Sequence, residues 1–167
     1  MLFENVQINP GELPEIEKVE FQKLESDYLW MRLTAWGLFF LIAAGVLVVI
    51  SLTGGVALWK LLLPWLVLLL GVLFVELRGF RIKGYALREN DISYKSGLLF
   101  FTMTSIPLNR LQHCEVSQGP LGRLFDLASV KIYTAGGSTS DLSIGGLKKE
   151  AAHRLRDHIT RLSAQYE

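Results

Sequence analysis

LTAWGLFFLIAAGVLVVISL, residues 33–52, carries no charged side chain. At about 1.5 Å of rise per residue, a helix of that length crosses the ~30 Å of hydrocarbon in a bilayer. A cleaved signal peptide is the competing reading, but the run starts too late, is too long and has no small-residue cleavage site before the folded part. A second run, ALWKLLLPWLVLLLGVLFV, fills residues 57–75, with Lys60 near one end and Pro64 inside. Proline is tolerated in a spanning helix because neighbouring helices cover the carbonyl it frees. Thr53, Gly54 and Gly55 make a short polar turn between the runs. A turn that short forces the two helices to be antiparallel neighbours, so the pattern predicts a transmembrane hairpin.

The flanking charges orient it. Arg78, Arg81, Lys83 and Arg88 follow the second run, Lys23 and Arg32 precede the first, and the turn has no Lys or Arg. The positive-inside rule then places both termini in the cytoplasm, as a multi-pass protein of the cell inner (plasma) membrane. Lys60 is discordant; it sits within a turn of the outer boundary, where its ammonium is expected to snorkel to the headgroups beside Trp59, with an intramembrane functional lysine as the alternative. Over the whole chain, 167 residues are 50% hydrophobic with a net charge of +1, and the apolar excess is concentrated in the two runs. That balance gives no global basic field of the kind nucleic acid requires. The single cysteine, Cys114, cannot form an intrachain disulfide and fits a reducing compartment.

Outward from the hairpin, three units are expected: residues 1–29 as an N-terminal cytoplasmic segment, 30–78 as the hairpin, and 79–167 as a cytoplasmic domain. In the first, Pro10 and Pro14 mark a loop, and Phe21, Leu24, Tyr28 and Leu29 recur at helical spacing. That spacing predicts a short interfacial helix, with a helical extension of the first span as its alternative. Beyond Gly79 the period changes to two, the strand signal. YALR and DISYKSG flank a turn at Glu89, Asn90 and Asp91; Ser96 and Gly97 then break to a strand in LLFFTMTSIP. In RLQHCEVSQ, Leu111, His113, Glu115 and Ser117 face one way, opposite Gln112, Cys114, Val116 and Gln118. PLGRLFDLASV reads as a loop or single helical turn, VKIYTAGG as a strand ending in a turn at Gly136 and Gly137, and STSDLSI as one more strand. Leu147, Ala151, Leu155, Ile159 and Leu162 then form the apolar stripe of a terminal helix that is expected to plug the sheets, with Lys148 and Arg156 outside and a membrane-surface helix as the alternative.

Two spans, a basic exit, short strands and a last helix, together with SGLLFFTMTSIPLNRLQHCEVSQGPLGRLFDLASVKIYTAGG, residues 96–137, carry a resemblance. The chain resembles the YdbS-like family of bacterial membrane proteins, which carry a bacterial pleckstrin-homology (PH) domain. The residues of the match are Ile106-Pro107 with Arg110, then Gln118 with Pro120-Leu121 and Arg123, then Thr134-Ala135-Gly136. Pro107, Arg110, Gln118 and Arg123 are the candidate interaction residues on that account. The resemblance implies an α+β membrane protein: a transmembrane hairpin, then a PH-like β-sandwich or barrel capped by a C-terminal helix. Asp126 stands where the family commonly has glycine, which implies a positive-φ position. Eukaryotic PH domains grip inositol phosphates with bases in the first hairpin loop; here that loop, Arg88-Glu89-Asn90-Asp91, has two acids against one base. Headgroup binding by that loop is not expected.

Catalytic patterns are weak. His153 and His158 are five apart on a helix and do not share a face; His113 and Cys114 are adjacent on a strand and point apart. Glu115 and Asp126 lack an acid/base partner at fixed spacing, and phosphate-loop, nucleophile-elbow and zinc-spaced signatures are missing from the sequence. The expectation is a non-enzymatic module without catalytic residues, metal or cofactor, and with no identified small-molecule substrate. It would sit on membrane lipids and dock another membrane protein or its own copies. An accessory subunit of a transport or envelope-stress complex is the alternative, and an enzyme the third class. In the membrane, small residues mark helix seams, so the hairpin is expected to close on Gly37 and Ala44 of the first span and on Pro64, Leu68 and Gly71 of the second.

Overall fold

The computed structural model describes residues 19–135 and 141–164. The Pro10–Pro14 loop and the Gly136–Gly137 turn lie outside the described residues. Helix α1 spans Ser26–Gly54 and α2 spans Leu58–Ile82. Gly55, at φ 64, ends α1 in the left-handed conformation that a helix C-terminus favours. Both helices are long and apolar enough to cross a membrane. Both also outrun the expected spans: 29 residues make α1 about 44 Å long, so its first turns rise beyond the hydrocarbon.

The hairpin does not close on Gly37 and Gly71. A Cβ at Gly37 or Gly71 would meet nothing within 4 Å, and Leu41 and Leu68 are exposed. The seam is aromatic instead. Phe40 is buried against Trp65, with ring centroids 5.7 Å apart in an edge-to-face arrangement, and Trp36 adjoins Phe40 at 6.2 Å. Large rings fill the gap between the helices and gain edge-to-face attraction, which turns the Gly37 and Gly71 stripes outward.

After α2 the chain forms two antiparallel sheets. The first has the order β1-β2-β3-β4, with β1 Gln22–Lys23, β2 Gly84–Leu87, β3 Asp91–Ser96 and β4 Thr102–Pro107. A 3-10 turn at Leu108–Arg110 leads to the second, β5-β6-β7, with β5 Leu111–Ser117, β6 Leu127–Thr134 and β7 Leu142–Lys148. Helix α3, Pro120–Leu124, joins β5 to β6, and α4, Lys149–Ser163, follows β7. Alternation places Ile92, Ile106, Val130, Ile132 and Ile144 inside, where α4 covers them with Ala152 and Ile159.

Several expectations are corrected. The interfacial helix is replaced by β1 at Gln22 and Lys23, which pair with Tyr85 and Gly84, while from Ser26 onward, through Tyr28 and Leu29, the alternative holds and the stretch is a helical extension of the first span. Gly84 permits this approach: a Cβ there would lie 3.0 Å from the Gln22 carbonyl oxygen. β4 starts at Thr102, so residues 98–101 are a hairpin tip and not strand. Gly97, at φ +98, turns so tightly that a Cβ would fall 1.8 Å from the Phe100 carbonyl oxygen. In β5 a register shift between Leu111 and His113 breaks the alternation, so Leu111 joins Cys114 and Val116 against the core. Leu147 is buried as a strand residue, and the true stripe of α4 runs through Ala152, Leu155, Ile159 and Leu162. Lys148 and Arg156 are half-exposed and ion-paired, to Asp27 and Asp157.

Candidate functional site

The joint between the spans and the domain is built on a β-bulge. Ala128 pairs with Leu147 and Val130 with Ile144, so Gly145 and Gly146 together oppose Ser129. Gly146 has φ +75, and a Cβ on it would come within 2.6 Å of Tyr28 Cγ. The Tyr28 ring, in the first turn of α1, therefore lies directly on bare backbone. Around it, the Glu25 N–H donates to the Gly146 carbonyl at 3.1 Å, the Lys148 ammonium bonds the Asp27 carboxylate, and the Lys83 ammonium stands 5.3 Å over the Tyr28 ring. The Asp27 partner raises the Lys148 pKa. Leu24, just upstream, is buried in the domain core. The first span thus begins as part of the domain.

Beside this joint is a cleft of about 410 Å³, bounded by Tyr28 and Met31 of α1, Pro120 and Leu121 of α3, and Ala128 of β6. Gln118 shapes its wall: Nε2 donates to the Leu127 carbonyl at 3.0 Å and the Gly122 carbonyl at 3.4 Å. Gly122 is needed there, because a Cβ would sit 2.7 Å from the Leu127 oxygen. Asp126 closes the turn at φ 52, the positive-φ position that the resemblance implied, and its carbonyl accepts the Lys149 N–H at 3.1 Å. Arg123 is exposed on α3.

Of the four candidate residues, the structure groups Gln118 with Arg123 and sets Pro107 and Arg110 apart. Pro107 precedes the 3-10 turn and Arg110 ends it, at the far end of β5, about 20 Å away along the strand. Pro107 pairs with Asp91 at the end of β4, and the Arg110 carbonyl accepts the Ala135 N–H at 3.3 Å. Sequence reasoning missed a cluster between the helices. The Arg32 guanidinium binds the Glu76 carboxylate, which also accepts the Trp36 indole N–H at 2.8 Å. Its signal was present: Arg32 directly precedes the first apolar run and Glu76 directly follows the second, so an antiparallel hairpin brings them level.

A family model described as a bacterial PH domain matches residues 29–163, most of the chain and both helices. The chain belongs to the bacterial PH domain family. It is also 43% identical over 79 residues to the UPF0699 transmembrane protein YdbS of Bacillus subtilis (strain 168), across 47% of this chain and 48% of that protein. The chain thus spans about half the length of that curated relative. No solved structure matches. With the family, the α+β architecture and the two candidate spans together, this is a YdbS-like membrane protein carrying a bacterial PH domain.

Within the PH domain, the first hairpin loop is internally committed. Arg88 donates to both Asp91 carboxylate oxygens, at 2.6 and 2.5 Å. His113 and Cys114 face opposite ways, as expected: His113 stacks on Tyr133 at 4.3 Å on the outer face, while Cys114 packs on the core. Burial pushes the Cys114 thiol up to about 11, which keeps it protonated and unreactive near neutrality. The Tyr133 hydroxyl donates to Glu115 at 3.0 Å, which raises its pKa. Among the described residues no group of three or more His, Cys, Asp or Glu is placed to hold a metal ion.

Proposed function

We propose that this protein is a membrane-anchored, non-enzymatic assembly module whose PH domain sits on the cytoplasmic face of the cell inner membrane and docks another membrane protein. The observation that carries the reading is the Tyr28–Gly146 joint, which fixes the cleft between α1 and α3 against the first span. A catalytic domain on a tether needs no fixed pose relative to its anchor, whereas a surface that must meet a partner in the same bilayer does. The cleft lining is mainly apolar, and Tyr28 and Met31 put it beside the start of the span. A partner crossing the same membrane presents its juxtamembrane segment at that height. Arg78 and Arg81 in the last turns of α2 and Lys83 just after it, with no cation between the helices, support the cytoplasmic placement.

The test places a photo-crosslinking residue at Leu121, in native membranes, with exposed Asn109 at the far end of β5 as the control position. The expected result is one adduct with a distinct membrane protein, absent at Asn109 and lost when Gly146→Val displaces Tyr28. Adducts that are the same at both positions would overturn the cleft. An adduct of two copies of this chain would replace the partner with self-assembly.

A further inference from the structure

We infer that the β3–β4 hairpin tip, Leu98 to Phe101, is a wedge that enters the interfacial zone of the bilayer crossed by the spans. Leu99, Phe100 and Phe101 are 77%, 87% and 63% exposed, a contiguous apolar patch outside the spanning helices. Scattered single apolar side chains on a surface are ordinary; three consecutive ones at the end of a hairpin mark a binding surface.

The strand register supplies the occupant. β2 leaves α2 at Gly84, and Gly84 pairs with Lys95 of antiparallel β3. Each residue after Lys95 therefore steps back along α2 toward the membrane, by about 3.3 Å. The contact agrees: a Cβ on Gly79 of α2 would lie 4.0 Å from Leu98 Cβ. Gly79 is four residues, about 6 Å, beyond Val75, the end of the apolar run. That is headgroup depth, and side chains projecting from the tip reach the acyl boundary, where an interfacial element buries its apolar face about 5–10 Å deep. The flanking chemistry matches a phospholipid surface. Arg78 and Arg81 are exposed on the same stretch of α2, at the level where lipid phosphates lie. Lys95, at the base of the tip, stands 4.2 Å over the Phe21 ring.

The inference does not depend on what the cleft docks. It adds a third membrane attachment, on the first sheet, to the two helices that hold the domain.

The test uses the full chain with Cys114→Ser, carrying Phe100→Cys or Leu99→Cys and an environment-sensitive nitrobenzoxadiazole label, in phosphatidylcholine/phosphatidylglycerol vesicles. Asn109→Cys is the aqueous control. The expected result is blue-shifted emission at positions 99 and 100, quenched by nitroxide-bearing lipid and protected from iodide, with the reverse at 109. Iodide quenching at position 100 equal to that at 109 would overturn the inference. Protection from iodide without quenching by nitroxide lipid would also overturn it, since protein and not lipid would then cover the tip. Both label sites are exposed, so the fold does not depend on either native side chain.

Discussion

Replacing Gly146 with alanine tests the joint on which the proposed function rests. Two costs are built into the site. The backbone at φ +75 is left-handed, which costs an L-residue with a Cβ about 1–2 kcal/mol. The new methyl would also lie 2.6 Å from Tyr28 Cγ and 2.9 Å from Tyr28 Cβ and Cδ2, far inside contact distance. Relief requires moving the ring or bending β7, an overpacking strain of about 1–3 kcal/mol. Gly146→Ala should therefore destabilise the domain by about 2–5 kcal/mol, a large part of the roughly 5–15 kcal/mol that holds a typical domain together. The two costs separate in a double-mutant cycle. Tyr28→Ala removes the ring and leaves the backbone strain, so Gly146→Ala in that background should cost only about 1–2 kcal/mol. Urea unfolding of the full chain in mild detergent, followed by β-sheet circular dichroism, measures all four corners. Additivity within about 0.5 kcal/mol would mean that Tyr28 does not press on Gly146, and the fixed pose of the domain would lose its structural basis.

The other predictions concern separate parts of the molecule. Glu76→Ala strips Arg32 and the Trp36 indole of their acceptor at the helix boundary, and should lower hairpin stability by about 1–3 kcal/mol in detergent, with Glu76→Gln milder; no change would show that the pair is not formed. Cys114 in the folded chain should react with iodoacetamide near pH 8 about 100-fold more slowly than in the denatured chain, the effect of a thiol raised from 9.0 to about 11. Because the unfolded thiol ionises first, that group's contribution to stability is intact below about pH 9 and lost as pH rises toward 11; equal alkylation rates would show that the thiol is not shielded. Ile159→Ala, inside the plug, should cost about 2–5 kcal/mol against about 0.5 for Arg156→Ala, and equal small losses would detach α4 from the core. An alkaline-phosphatase fusion at Gly54 should be active and one at Glu167 inactive; the reverse pattern would invert the membrane orientation.

What the sequence made legible follows from how far apart the deciding residues lie. The spans were readable because twenty uncharged residues are a local fact, and so were the strands whose pairs are adjacent, such as DISYKSG with TMTSIP. The errors fall where one residue's role depends on a remote partner. Gln22 and Lys23 read as the start of a helix because the strand that claims them, at Gly84 and Tyr85, comes after the whole hairpin. Gln112 and the Gly145–Gly146 pair shift phase by bulges, which alternation alone cannot show. Leu98 to Phe101 looked like strand because their apolar content matches a buried run. The register turns them into a tip.

The candidate site shows the same division more sharply. Gln118, Arg123 and Asp126 were singled out through a resemblance, and in the fold Gln118 and Asp126 hold the short α3 turn that walls the cleft. Neither contributes its side chain as a recognition group there, since Gln118 is spent on two backbone carbonyls and Asp126 acts through its backbone. The groups that fix the cleft in place, Tyr28 and Gly146, lie at opposite ends of the chain, and the family match begins one residue after Tyr28. A motif can therefore mark the loop that frames a surface while the residues that aim the surface go unmarked. On the proposed function, aim is what separates an assembly module from a tethered globule. The contact between a tyrosine ring and a glycine bulge sets that aim.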